Sequence, residues 1–417
     1  MEISKITISG LFKTFTHEIE LNNGVQIIMG ENGVGKTVTM KLIEAIFNKD
    51  FRYLCDTDFD TISIRFKSKL GTWSIKRWCD PEHGKHLEFK TTAKNQNSFN
   101  IASHDLPPMA PDYIEKQGED RWRDLRTNRL MTSAMIKREY GFDPEAKYDK
   151  YLPEWFSKRL ETNRVKFIKA QRIFAERFRN ETAMNIELYA KDMLELLQNK
   201  MTRVNETTSS IDNSFPIRLL RQLRSHQSYT AEEIKQELDD LHTRRQKLMD
   251  VGIMKDSQTD WIDSLHSVEK DNTALNVLHL YIKDSREKLA EYETFAEKIN
   301  KFVEIINNHL KRKRLSIDYN KGFVVKAIEG EKSSIKLSRL SSGEQNEIVL
   351  IYELLFKCDN KDLILVDEPE ISLHLEWLQN MIKDMLEITK LSKSSMLIAT
   401  HSPDLVGNYY HLVTNLE

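Results

Sequence analysis

Cysteine is scarce in this 417-residue sequence. Cys55, Cys79 and Cys358 are three in number, widely spaced and near no histidine cluster. That excludes a disulfide framework and a zinc site and fits a reducing compartment. No run approaches the roughly 18 apolar residues of a membrane-crossing helix. The opening MEISKITISG alternates as a strand does and holds no apolar signal core, so a cytoplasmic protein with no membrane part is expected. Neither sign of charge dominates: Lys+Arg 62 against Asp+Glu 64 gives −2, a field that favours neither nucleic acid nor an anionic membrane. Internal repeats, low-complexity tracts, a Ser–His–Asp arrangement, a metal cluster and a nuclease signature are all missing. What abounds is charge, 30% of residues. With a mean hydropathy of −0.54, that implies much exposed helix. The length suffices for two or three domains around a sizeable core.

The two ends read as α/β and the middle as helix. Ile3 to Leu21 suggests two short strands around Gly10, and Gly24–Met29 a buried strand. From Thr37 to Phe47 a helix is expected, with Met40, Ile43, Ile46 and Phe47 at helical spacing. Further strands are expected at Thr61–Phe66, Trp73–Arg77 and Leu87–Phe89, and a loop at Leu106–Pro111. From about Tyr113 to Leu310 the chain is rich in Lys, Glu, Arg and Leu, broken by a strand-like Val165–Ile168. Two apolar stripes follow: Ile186, Tyr189, Met193, Leu197, Met201 and Val204, then Leu289, Tyr292, Ile299, Phe302 (or Val303), Ile306 and Leu310. Each spans about three or four heptads and suits a short coiled coil or helical hairpin, or a plain helical subdomain. Between them Pro216 is expected to break a polar stretch. Strands return at Leu315–Tyr319, Phe323–Ile328, Leu363–Val366 and Met396–Ala399. The expected organisation is one split α/β head, residues 1–112 and 313–417, interrupted by a helical, short coiled-coil insertion over 113–312.

Gly30-Glu31-Asn32-Gly33-Val34-Gly35-Lys36-Thr37 fits the phosphate-binding pattern G-x-x-x-x-G-K-T, after a buried strand and at the start of a helix. Glycines let the backbone N–H groups converge on a phosphate, and the helix N-terminus adds positive potential. Lys36 would bridge the β- and γ-phosphates and Thr37 would ligate Mg²⁺. In Leu363–Glu368 four apolar residues place a central strand, with two carboxylates at its C-terminal end, where open α/β sheets bind ligands. Asp367 would hold Mg²⁺, and Glu368 would orient or deprotonate the attacking water.

Two further segments resemble those of ABC-type ATPases. Leu340-Ser341-Ser342-Gly343-Glu344-Gln345 resembles the signature motif, in the variant of the SMC, RecF and OLD-like branch. An ordinary helix cap by Ser341 or Ser342 is the other reading. Met396–Pro403 resembles the switch-histidine segment, in which His401 would bond the γ-phosphate. Pro369–Trp377 looks like the D-loop of RecF- and OLD-like ATPases, with Leu375 in place of the usual proline; Ser372 and His374 would face a partner's site or simply enter a helix. The γ-phosphate-sensing glutamine of this family would be Gln171, and Arg172 a phosphate ligand or a solvated charge. Phe12, Lys13 and Phe15 would flank the base or pack in the core. The resemblance covers Met1–Phe47 and Leu315–Leu416 well, and the middle poorly.

The resemblance implies an ABC-type ATPase that sandwiches ATP between paired heads, Lys36 and Thr37 of one copy facing Ser341 and Gly343 of another, in a dimer or higher homo-oligomer. It is most similar to stand-alone ATPase subunits of bacterial anti-phage defence systems, above all that of PARIS. That implies a separate toxic nuclease as partner and a phage protein as trigger. OLD-like proteins carry a TOPRIM nuclease after the switch histidine; none is expected in the residues that follow His401 here. The alternative is a RecF/SMC-like ATPase that clamps DNA through Lys311–Arg314 and Arg244-Arg245, a partner the balanced charge does not indicate. A role in energising a membrane complex suits the signature variant least.

Overall fold

The computed structural model describes residues 3–21, 24–67, 71–82, 84–93, 97–106, 114–118, 121–124, 127, 129–141, 152–173, 184–224, 229–250, 271–329, 334–359, 362–373 and 375–416. The chain opens with β1 (Ile3–Leu11), β2 (Phe15–Glu20) and β3 (Val25–Met29), followed by α1 (Lys36–Phe47) and α2 (Phe51–Asp56). Then come β4 (Thr61–Phe66), β5 (Thr72–Asp80), β6 (Gly84–Thr91), β7 (Ser98–Ala102), β8 (Ile114–Gly118), β9 (Arg121–Asp124), β10 (Arg129–Met131), α3 (Ser133–Tyr140), α4 (Glu154–Thr162) and β11 (Val165–Ile168). The middle holds α5 (Asn185–Arg224), α6 (Ala231–Asp250), α7 (Asn272–His309), β12 (Lys313–Asp318), β13 (Gly322–Ala327), β14 (Ser334–Ile335) and α8 (Ser342–Tyr352). The chain closes with β15 (Leu363–Asp367), α9 (Leu375–Ser392), β16 (Ser395–Thr400), α10 (Pro403–Val406) and β17 (Val413–Asn415). It forms two compact units: Met1–Thr182 with Phe356–Glu417, and Ala183–Leu355. The fold is the mixed α/β one expected of an ABC-type P-loop head with a long helical insertion.

The first unit is built on a five-stranded parallel sheet in the order β11-β15-β16-β3-β17. Leu363–Val366 and Met396–Ala399 are wholly buried, as strands covered on both faces must be. An antiparallel sheet, β2-β1-β4-β5-β6-β7, shares one core with it. Helix α1 joins this core along most of its length; Met40, Leu42, Ile43 and Ile46 are fully buried. Register places Ile62 and Ile64 of β4 opposite Ile8 and Ile6 of β1, so one inward face is continuous.

Residues expected to be helical from 113 onward begin instead with the antiparallel sheet β10-β9-β8. Trp122 and Met131 seal it against Ile136 of α3. Helix α4 belongs to the first unit as well: Phe156 stacks among Trp73, Phe89 and Phe99, all on strands of the antiparallel sheet. Of the expected loop at Leu106–Pro111, all but Leu106 lies outside the described residues, as does Tyr113.

In the second unit, α5 and α7 are 40 and 38 residues long, each about 60 Å. Ile186, Met193, Leu197 and Val204 are buried as the stripe requires. Met201, expected on the same stripe, is 42% exposed, and Ala190 is buried instead. Leu289, Ile299, Phe302, Ile306 and Leu310 are buried. Pro216 does not end α5. Proline lacks the N–H that would bond the carbonyl of Asp212, and side chains brace the turn at the residue before it. Ser214 Oγ (3.0 Å) and Arg218 Nη2 (2.8 Å) both donate to the Ile211 carbonyl, while Arg218 pairs with Asp284 on α7.

Candidate functional site

In the first unit the candidate residues follow parallel strands at one edge of the sheet. The Gly-rich loop follows β3, Glu368 follows β15, His401 follows β16 and Gln171 lies three residues past β11. Strand order puts β16 between β15 and β3, so His401 is flanked by the acidic pair on one side and the loop on the other.

Gly33 and Gly35 have φ of 94° and 88°, conformations that L side chains adopt at a cost. A Cβ at Gly35 would also stand 2.8 Å from Leu11 Cδ2. Helix α1 starts with no side-chain cap, so the N–H groups of its first turn are free to receive an anion. Lys36 is buried, and its ammonium donates to the carbonyls of Gly30 (2.7 Å) and Glu31 (2.9 Å). Asn32 and Gly33 are exposed at the tip of the loop. Phe12 is 44% exposed rather than a core residue, while Phe15 packs against the core.

Thr37 and Asp367 meet directly: the Thr37 hydroxyl lies 3.1 and 3.0 Å from the two Asp367 carboxylate oxygens. Burial pushes Asp367 above the usual carboxylate range; the Thr37 hydrogen bond opposes this, and the nearby charges of Glu368 and Glu370 add to it. Crowded carboxylates beside a hydroxyl make a hard-oxygen donor set, which fits Mg²⁺.

Glu368 has φ of 41°, a backbone strain of about 1–3 kcal/mol for a non-glycine residue. Three contacts hold it there. Its N–H donates to Ala399 O at 2.9 Å, and its carbonyl accepts from Arg172 Nη2 at 3.1 Å and from Ile371 N at 3.3 Å. Arg172 is therefore buried, not a solvated charge. The Glu368 carboxylate stands 3.6 Å from His401 Nδ1, a distance for an ion pair rather than a hydrogen bond. Gln171 is exposed. Ser372 is exposed with φ of 63°, and His374 lies outside the described residues.

Ser341, Ser342 and Gly343 stand together at the head of α8, in the second unit. Ser341 forms a full capping box with Glu344: its Oγ accepts from Glu344 N, and Glu344 Oε2 accepts from Ser341 N at 2.8 Å. Lys313 fixes the same carboxylate at 2.8 Å. The cap leaves both serines exposed, so the two roles read from the sequence are compatible. The rest of α8 is buried from Gln345 to Tyr352.

His17, to which the sequence drew no attention, is fully buried and shares a hydrogen bond of 2.9 Å with Thr39 Oγ1 on α1. Burial holds its pKa below the ordinary 6.5, so folding favours the neutral ring. The unfolded chain takes up a proton around pH 6.5. The stabilisation from His17 is complete above that pH and is lost as pH falls from there toward the depressed folded value. The melting temperature of the wild type is expected to fall more steeply between pH 7 and pH 5.5 than that of His17→Gln. Parallel curves would remove His17 as the cause.

A family model described as AAA ATPase domain matches residues 1–406. The chain belongs to this family. It is an ATPase, binding and hydrolysing ATP. No protein of curated function matches the sequence. Among solved structures, this ATPase is similar to the Smc head domain with an extended coiled coil, bound to the C-terminal domain of ScpA, from Pyrococcus furiosus. The identity is 14% over 97% of this chain and 91% of that one, with a TM-score of 0.35. A second is an SmcHead bound to the C-winged helix domain of ScpA, at 12% identity, the same coverage and a TM-score of 0.36. No described helix of the ATPase is long and apolar enough to cross a membrane.

Proposed function

We propose that this ATPase works at composite sites between two copies, and that it is the sensor subunit of a bacterial anti-phage system holding a separate toxic nuclease in check. The observation that carries the paired-site reading is the exposure of both halves. His401, 46% exposed, stands at the sheet edge, and Ser341 and Ser342 stand exposed at a helix start. A helix N-terminus with free hydroxyls suits a phosphate.

In this reading Lys36 and the N–H groups of the loop bind the β- and γ-phosphates, with Thr37 and Asp367 as the protein's ligands for Mg²⁺. The bound ion would neutralise phosphate charge. Glu368 takes the proton of the attacking water as its oxygen bonds to the γ-phosphorus, and the β–γ bridging oxygen leaves with ADP. His401 donates to a γ-phosphoryl oxygen, and the exposed Gln171, three residues past the strand that pairs with β15, orients the water. Ser341, Ser342 and Gly343 of a second copy close the site, so nucleotide state becomes assembly state.

The defence reading rests on the resemblance of Leu340–Leu355 and Val366–Trp377 to the ATPases of such systems. Three of the basic side chains that DNA clamping would use are engaged within the chain, which supports the defence reading over it. Arg244 bonds Asp240 and Glu293, Arg245 bonds Tyr281, and Lys313 bonds Glu344. Capture from the native host with ATP is expected to bring down a nuclease, released when a phage protein is added. A preparation with no nuclease, whose turnover rises with duplex DNA alone, would replace this reading with the DNA-clamping one.

A further inference from the structure

The acidic run after β15 contains a third carboxylate, Glu370, which the scheme above does not use. It is 8% exposed at its side chain, so its interactions are made within the protein. Its Oε1 accepts the hydroxyl proton of Thr400, and the backbone N–H of His401 at 3.3 Å. The same oxygen lies 3.5 Å from His401 Nδ1, nearly matching the 3.6 Å from that nitrogen to Glu368. Its Oε2 is buried with no hydrogen-bond partner among the described residues. A carboxylate left half-satisfied in the interior is unfavourable, and that points to a purpose beyond packing.

We propose that Glu370 is the positioning residue for His401 and, through it, for Glu368. The polarity of the cluster leaves one arrangement. Thr400 Oγ1 accepts from Ser402 N at 2.9 Å, so its own proton points to Glu370. Glu370 Oε1 already accepts from Thr400 and from the His401 N–H, so the ring nitrogen that faces the same oxygen must donate as well. The imidazole therefore turns Nδ1–H toward Glu370 and Glu368, and the doubly protonated ring, the form that donates from both nitrogens, presents Nε2–H to the γ-phosphoryl oxygen. Glu370 also ties the turn after β15, where Glu368 is strained, to the end of β16, where His401 begins. The distance between general base and histidine is thereby set by one buried side chain.

This inference rests on the roles proposed for Glu368 and His401, and the experiment separates the two. Steady-state ATP turnover is measured on the full chain with Mg²⁺ for wild type, Glu370→Met, Glu370→Gln, His401→Ala and the double variant Glu370→Met/His401→Ala. Methionine keeps the volume and removes the acceptor; glutamine restores an acceptor oxygen. Glu370→Met is expected to lower kcat by about tenfold or more, the usual effect of losing such support, with KM for ATP within about twofold of wild type. Glu370→Gln should recover part of the rate. The double variant should be no slower than His401→Ala, because the two residues act in series. The ¹⁵N resonances of the His401 ring should shift in Glu370→Met. Wild-type kcat in Glu370→Met, or losses that multiply in the double variant, would overturn the role of Glu370 while leaving the site intact. Wild-type kcat in His401→Ala would overturn the site reading itself.

Discussion

Glu368→Gln is expected to bind ATP as tightly as the wild type and to turn it over at least about 100-fold more slowly, the lower range for losing a general base. The amide keeps the size of the side chain and leaves the backbone bonds to Ala399 and Arg172 untouched, so the strained turn survives. What is lost is the group that, in the proposed scheme, takes the proton of water. Single-turnover hydrolysis, measured beside equilibrium binding of a fluorescent ATP analogue, checks both halves. A variant that loses binding as well as turnover would show that Glu368 supports the site rather than the chemistry.

Lys36→Ala is expected to fail one step earlier, at binding. The ammonium lies along the loop on the carbonyls of Gly30 and Glu31, so the phosphates need only exchange for acceptors that it already holds. Charge-assisted hydrogen bonds contribute about 1.5–3 kcal/mol each. Losing one weakens ATP by roughly 10- to 100-fold, at 1.4 kcal/mol per tenfold. The same binding assay measures it, with circular dichroism to confirm the fold. Affinity within twofold of wild type would remove Lys36 from the phosphate site.

The parallel sheet and its loop were legible because the signals are dense and local. Leu363–Val366 is apolar at every position, as a strand covered on both faces is, and G-x-x-x-x-G-K-T follows another buried strand. The region after Ala102 was not legible for the opposite reason. Arg121-Trp122-Arg123-Asp124 forms a strand that presents few apolar residues, so its composition reads as exposed helix. Helix α4 looks equally charged, yet Trp155 and Phe156 bind it to the aromatic cluster of the N-terminal sheet, a contact between residues some eighty positions apart. Pro216 reads as a break because intrinsic propensity cannot know that Arg218 and Ser214 will hold the turn before it. At the site, Glu368 and His401 stood out by their strand-end positions. Glu370 lay in plain view within the same run, but only its burial and the hydroxyl of Thr400 reveal what it faces.

The most direct test of the paired-site account is the mass of Glu368→Gln by light scattering, with and without ATP and Mg²⁺, beside Lys36→Ala in the same conditions. The account predicts that ATP drives Glu368→Gln into a stable dimer or larger assembly and leaves Lys36→Ala unchanged. Equal mass for both variants in ATP would contradict it.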